Sequence, residues 1–202
     1  MGQRSQIFIN VKKEWFDREN KKHIDKHLVA RYYQWNFGER MISRARGIIE
    51  YLKEHGTYVP YQIRELTRVC DINWDYHDVV ISVDCLKEFT EGRYWNTTKE
   101  MFLQQDNNDG VLFIDMLIKE KKHNDDKPDI TIKYCFMSCE NNYLGDAKAY
   151  IDWDLSDWAT SLDNEAVTFT KDNIKYLKKN AELMTENEMN KFINRNYAGY
   201  KF

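Results

Sequence analysis

The chain has 202 residues, of which 42% are apolar and 31% are charged, and its formal net charge is −3. These proportions are typical of globular proteins and exclude a chain that is disordered throughout. The length suits one domain whose core needs no disulfide or metal. We therefore predict a single domain over residues 1–202.

The cysteines and the apolar runs indicate where such a chain would be found. The four cysteines form no C-x-x-C pair; they are Cys70, Cys85, Cys135 and Cys139. The first residues lack the pattern of a signal peptide, and no apolar run is long enough to span a membrane. We expect reduced thiols, a cytoplasmic location and no membrane partner.

Charge is distributed unevenly along the chain. Residues 1–56 contain 12 Lys and Arg against 7 Asp and Glu, whereas the remaining residues contain 18 against 26. Such asymmetry can orient a molecule toward a charged partner. Alternatively, the two regions neutralise each other within the fold.

The first elements predicted in chain order are a β-hairpin and a helix. The apolar-rich run Gln6–Val11 predicts a strand, Lys12–Lys26 a long charged turn, and Leu28–Trp35 a second strand. A helix over residues 37–55 then follows, because apolar residues from Met41 to Leu52 recur at helical spacing. Asn36 with Glu39 resembles a capping box at its start, and Gly56 suits its C-terminal end.

The remaining elements are shorter, and together they predict the α+β class with a mixed or antiparallel sheet and a helical C-terminal part. The predicted strands are Val79–Cys85, Val111–Ile118 and Ile130–Met137. The predicted helices begin near Pro60, at a Thr97–Glu100 capping box, after Thr170 and at a Thr185–Glu188 capping box.

An acidic segment with two tryptophans is the first candidate for a binding site. Its residues are Asp152, Trp153, Asp154, Asp157 and Trp158. Exposed tryptophans are enriched at protein contacts, and the carboxylates would suit a basic groove on a partner. The alternative is that both tryptophans belong to the core while the aspartates face water.

The basic predicted helix and the aromatic strand before it form the second candidate. Its residues are Tyr33, Trp35, Arg40, Arg44 and Arg46. Arginines beside aromatic rings can hold phosphates and stack on bases, so this set predicts a nucleic-acid surface. The alternative is a solvated helix face whose arginines pair with acidic residues.

Catalytic and metal-binding patterns are weak. His23 and His27 have a spacing that would bind zinc on a helix, but they fall in a predicted hairpin turn. Asp75, His77 and Asp78 could take part in acid–base chemistry. No phosphate-binding or nucleophile motif occurs, so we predict no catalytic residue, no metal and no cofactor.

The opening MGQRSQIFI, the segment YYQWNFGERM and the turn DNNDG resemble a group of uncharacterised phage and prophage proteins of Firmicutes. The matching residues are Gly2, Arg4, Gln34, Trp35, Gly38 and Asn107–Gly110. The resemblance covers the first third of the chain and one later turn. It implies a small accessory protein in a bacterial host cell that binds and blocks a defence component, CRISPR effectors included.

The residues and the resemblance together predict one function and leave two alternatives. We expect a non-enzymatic protein that binds a host protein or nucleoprotein complex and inhibits its defence activity, as anti-CRISPR proteins do. The first alternative is nucleic-acid binding through the basic helix. The second is a small nucleotide-binding or hydrolytic enzyme that uses Asp75, His77 or Asp78.

Overall fold

The computed structural model describes residues 3–72, 82–84, 97–103, 107–121, 127–154 and 163–196. The strands in these ranges are β1 (Arg4–Phe16), β2 (Lys22–Gln34), β3 (Ser82–Asp84), β4 (Val111–Lys119), β5 (Asp129–Met137), β6 (Tyr143–Gly145) and β7 (Glu182–Leu183). The helices are α1 (Glu39–His55), α2 (Ile63–Asp71), α3 (Thr98–Leu103), α4 (Ala147–Asp154), α5 (Asn164–Asn180) and α6 (Glu186–Ile193), with a 3-10 helix at Val59–Tyr61.

The strands form one mixed sheet in the order β3-β2-β1-β4-β5-β6, and β7 pairs with β5. Two antiparallel hairpins, β1–β2 and β4–β5, lie side by side because β1 and β4 pair in parallel. The predicted α+β class, with an N-terminal hairpin, a following helix, a mixed sheet and C-terminal helices, is therefore confirmed. No helix in the described ranges is long and apolar enough to cross a bilayer.

The first hairpin is longer than the sequence predicts. The segment Lys12–Lys26 is not a long turn, because both strands continue through it and leave only residues 17–21 between them. Glu14 lies 2.6 Å from the ammonium of Lys12 and 2.8 Å from that of Lys22. Opposite charges on one face of an antiparallel pair stabilise strands that have no apolar pattern.

Helices cover both faces of the sheet. One face packs against α1, α2, α4 and α5, and the other packs against α3 and α6. On β1 the side chains of Ile7 and Ile9 enter the first core, whereas Phe8 enters the second. A strand buried on both sides has apolar residues at successive positions, which explains the unbroken run at the start of β1.

The N-terminus of α1 differs from the predicted capping box. The residue before the helix is Gly38, with φ 53°, and no side chain caps the helix there. Asn36 is buried and is engaged elsewhere: its Nδ2 donates to Ser5 Oγ at 3.1 Å, and its Oδ1 accepts from Arg44 Nε at 2.9 Å. The predicted Asn36–Glu39 box is wrong because the Asn36 side chain bonds to Ser5 and Arg44 in the interior, not to the start of α1.

The role of Gly56 also differs from the prediction. Its φ is −45°, which is right-handed and open to any residue. A Cβ at this position would lie 2.7 Å from Met116 Cε and 2.8 Å from the carbonyl oxygen of Leu52. Gly56 therefore allows α1 to end close against the sheet.

Two of the predicted capping boxes are confirmed, namely Thr97–Glu100 and Thr185–Glu188. The predicted cap at Thr170 is wrong. Asp163 caps α5 instead, and its carboxylate accepts from the Ala166 N–H at 2.7 Å. Thr170 lies nearly two turns inside the helix, where its hydroxyl donates to the Ala166 carbonyl at 2.8 Å.

Candidate functional site

Two tyrosines face solvent on the turn between α1 and α2. Tyr58 and Tyr61 are 65% and 68% exposed, whereas Val59 and Pro60 between them are buried. The turn is a short 3-10 helix in which the Tyr61 N–H donates to the Tyr58 carbonyl at 2.9 Å. Because Val59 and Pro60 are buried, the turn is anchored to the protein, and the backbone that carries the two exposed rings is held in place. Tyr58 and Tyr61 are called the tyrosine pair below.

Lys13 of β1 holds one ring of the pair in place. Its ammonium lies 4.8 Å from the centroid of the Tyr61 ring and 2.6 Å from a carboxylate oxygen of Glu120. Burial acts to lower the pKa of Lys13, but the hydrogen bond and charge of Glu120, together with Tyr61, outweigh it and raise the pKa. Lys13 therefore stays protonated, and the attraction between cation and ring fixes Tyr61.

Further aromatic and cationic groups lie on the elements that flank the tyrosine pair. Tyr51 and His55, one turn apart on α1, stack with their ring centroids 4.5 Å apart. On α2, Arg64 is exposed and Arg68 pairs with Glu65 at 2.9 Å. Tyrosine and arginine are enriched at the positions that dominate the binding energy of protein interfaces. This surface is therefore a candidate protein-binding site.

Sequence reasoning did not single out Tyr58 or Tyr61. The available signal was the order Tyr-Val-Pro-Tyr between two helices. Proline favours a tight turn, and a tyrosine on each side of an apolar pair can face outward when that pair faces inward. Sequence alone does not determine which pair is buried.

The predicted acidic tryptophan segment lies only partly in the described residues. Asp157 and Trp158 lie outside them. Asp152 is exposed and pairs with Lys148, one turn earlier on α4. Trp153 is partly buried against the main core, with its ring centroid 6.1 Å from that of Tyr150. Asp152 thus faces water, and Trp153 contributes mainly to packing.

Asp154, the last residue of α4, lies beside the start of α1. Its carboxylate accepts a hydrogen bond from the backbone N–H of Gly38. Burial is the main cause that raises the pKa of Asp154 to about 7, and the negative charges of Asp109 and Glu39 also raise it. At neutral pH this group is a mixture of acid and carboxylate, so it adds little charge to an acidic docking surface.

The raised pKa predicts how Asp154 affects stability. Because the folded pKa is about 7 and the ordinary value is 3.8, the stabilising contribution of the protonated group is complete below pH 3.8 and is lost as the pH rises through about 7. Asp154→Asn keeps an acceptor for Gly38. We expect it to raise the free energy of unfolding by about 2 to 4 kcal/mol at pH 8 and to change it little at pH 4.

Urea unfolding at the two pH values measures this difference. Asp152→Asn, at an exposed carboxylate on the same helix, is the matched control and should behave alike at both. An Asp154→Asn effect that is equal at pH 4 and pH 8 would contradict the assignment.

Two residues of the predicted nucleic-acid surface, Tyr33 and Arg44, are buried. The Arg44 guanidinium lies 4.8 Å from the centroid of the Tyr33 ring and donates to the carbonyls of Cys70 and Ile72, the latter at 2.7 Å. These carbonyls lie at the C-terminal end of α2, where a cation is favoured. The expectation that Tyr33 and Arg44 face a ligand is therefore corrected: both side chains make their contacts inside the protein.

Removal of the Arg44 charge should destabilise the protein. Arg44→Met leaves the carbonyls of Cys70 and Ile72 and the amide oxygen of Asn36 without this donor. We expect the free energy of unfolding to fall by about 3 kcal/mol, measured by denaturant titration. Arg68→Met removes an exposed arginine from α2 and should cost no more than about 0.5 kcal/mol; equal losses would contradict the buried role.

The other three residues of that predicted surface, Trp35, Arg40 and Arg46, lie in two separate places. Trp35 is 45% exposed, and Arg40 Nη1 donates to its carbonyl at 3.1 Å. Arg46 lies against α5 instead, where its Nη1 donates to Asn173 Oδ1 at 2.9 Å and its guanidinium lies 4.8 Å from the Tyr176 ring centroid. Trp35 and Arg40 thus remain together at the surface, and Arg46 belongs to a different contact.

The histidines considered for zinc lie on strand β2. At that spacing His23 and His27 are about 13 Å apart, and His23 Nε2 is 2.7 Å from Asp17 Oδ2. Among the residues that the structure describes, no three potential ligands could hold a metal ion together. The acid–base candidates Asp75, His77 and Asp78 are outside the described residues, so their role stays a prediction.

Comparisons of the chain with protein-family models, with curated proteins and with solved structures find no match. No relative therefore supplies a function for this chain.

Proposed function

We propose that this is a non-enzymatic accessory protein of the phage type, which binds a host protein or nucleoprotein complex and inhibits its defence activity. The observation that supports the binding surface is the exposure of Tyr58 and Tyr61 on a turn whose centre is buried. The sequence resemblance to phage and prophage proteins supplies the inhibitory role, which includes anti-CRISPR activity.

The tyrosine pair suits this role for an energetic reason. A tyrosine side chain typically buries about 150–250 Å² in a contact, and it loses little conformational freedom when it binds. The backbone of the turn is already fixed by Val59 and Pro60, and Lys13 holds the Tyr61 ring. A partner therefore gains contact area without ordering the turn, and a bound inhibitor covers the surface that its target uses.

The salt dependence of partner binding distinguishes the tyrosine pair from the acidic segment 152–158 as the contact surface. Contacts made by uncharged rings are little affected by ionic strength, whereas contacts between carboxylates and a basic groove weaken strongly with added salt. Binding that persists at high salt favours the tyrosine pair. Binding that is lost at moderate salt favours the acidic segment, of which Asp152 is the exposed described residue.

Capture of a partner from a bacterial host lysate tests the proposal. Wild-type protein should retain a defence component, and the double variant Tyr58→Ala, Tyr61→Ala should bind it at least about 30-fold more weakly, because it removes two hot-spot rings. The matched control is Leu103→Ala with Leu183→Ala, which removes two exposed apolar side chains elsewhere. A partner held equally by both double variants, or no partner at low salt, would contradict the proposal.

Nucleic-acid binding is a second candidate, favoured by the backbone of Trp35. This exposed tryptophan has φ 64°, a left-handed conformation that is strained for a bulky residue. Such strain persists where the surrounding structure enforces it, often at ligand sites. Arg40 donates to the carbonyl of Trp35, so one short segment offers an exposed indole for base stacking and a cation for phosphate.

A gel-shift assay at low salt with single-stranded DNA and RNA tests this second candidate. The double variant Trp35→Ala, Arg40→Ala should lose at least about tenfold in affinity, since base stacking on one ring is worth roughly 1–3 kcal/mol. Arg68→Ala, on the exposed face of α2, is the control for charge alone. Unchanged retention of the Trp35, Arg40 variant would dismiss nucleic-acid binding at this position.

A further inference from the structure

A small open cleft with charged, polar and aromatic lining residues lies between α1 and α5. Its volume is about 230 Å³, and its lining residues are Ser43, Arg46, Gly47, Glu50, Phe169 and Asn173. Sites for drug-sized ligands begin at about 300 Å³. This cleft therefore suits a molecule smaller than a nucleotide.

The amide of Asn173 supports ligand binding in this cleft. Asn173 is fully buried, and its Oδ1 accepts from Arg46 Nη1 at 2.9 Å. Within the described residues, its Nδ2 has no hydrogen-bond partner. Buried polar groups in folded proteins are nearly always hydrogen-bonded, so an acceptor from outside the chain would complete this one. Arg46 donates to the same amide and its side chain is partly exposed, so it can shift to admit that acceptor.

The charges that line the cleft are of opposite sign and only loosely paired. Arg46 Nε and Glu50 Oε2 are 4.0 Å apart, and their side chains are 34% and 49% exposed. A pair at this distance and exposure contributes little to stability. Glu50 is therefore available to a ligand cation. Arg46 also contacts Asn173 Oδ1 and the Tyr176 ring, so it would bind a ligand anion through the N–H groups not used there. Phe169 supplies an apolar wall.

We propose that this cleft binds a free α-amino acid. The carboxylate of the ligand binds Arg46 and accepts a hydrogen bond from Asn173 Nδ2. Its ammonium pairs with Glu50, and its side chain lies along Phe169, where Gly47 leaves space. This site is separate from the tyrosine pair, and its occupation does not depend on the function proposed above.

Thermal unfolding of the full-length protein tests the proposal, with the standard L-amino acids added one by one at about 10 mM. At least one should raise the unfolding temperature. For the amino acid with the largest effect, the N-acetyl derivative lacks the ammonium and the amide derivative lacks the carboxylate. Each should bind at least about tenfold more weakly, because each loses one charge-assisted contact.

Two results would overturn the proposal at this stage. One is the absence of a shift with any amino acid. The other is equal binding of the N-acetyl derivative, which would indicate the carboxylate end of a peptide in place of a free amino acid.

Variants locate the binding in this cleft. Asn173→Asp keeps the shape of the side chain but replaces the donor by a carboxylate, and we expect at least about a tenfold loss of affinity. Asn180→Asp, on the same helix beside Lys53, is the matched control and should bind normally. Binding by Asn173→Asp that equals the wild type would overturn the proposal.

Glu50→Gln provides an independent measurement if Asn173→Asp fails to fold, because Glu50 is half exposed. It should reduce the affinity for the amino acid to that of the N-acetyl derivative, and an unchanged affinity would overturn the proposal. The variant Tyr58→Ala, Tyr61→Ala should bind the amino acid as the wild type does, which separates this test from that of the protein-binding surface.

Discussion

One buried cation, Arg44, joins the elements that open the fold. Its guanidinium, carried by α1, bonds to Asn36 after β2 and to the carbonyls of Cys70 and Ile72 at the end of α2. Carbonyl and amide oxygens replace the water that a guanidinium loses on burial. The turn that displays the tyrosine pair runs between α1 and α2, so its position depends on this contact.

Basic residues among the first 56 positions pair with acidic residues from later in the chain. Arg31 of β2 makes a two-pronged contact with Asp71 of α2, with both Nη2–oxygen distances 2.8 Å. Lys13 pairs with Glu120, beyond the first 56 residues, at 2.6 Å. These contacts join the cationic and anionic regions of the chain to each other. They support the alternative in which the uneven charge stabilises the fold more than it attracts a partner.

The sequence predicted the elements whose signals are local. The apolar spacing of α1 and the capping boxes before α3 and α6 each lie within one element, and all three elements form. The length of the first hairpin was missed because it depends on contacts between strands, such as the ion pair of Glu14 with Lys22. Arg40 and Arg44 look alike in the sequence, one turn apart on one helix. The carbonyl of Cys70 at the end of α2, 26 positions beyond Arg44, and the amide oxygen of Asn36 distinguish the buried arginine from the surface one.

The parallel pairing of β1 with β4 has a consequence for synthesis on the ribosome. Gln6 lies opposite Val111, so over a hundred residues must be translated before the inner edge of β1 meets its neighbour. The β1–β2 hairpin can form early in synthesis, but the apolar strand β1 then has one unpaired edge until β4 has been made. Open strand edges invite pairing with other chains. Chaperone protection of the growing polypeptide should therefore matter most before β4 leaves the exit tunnel.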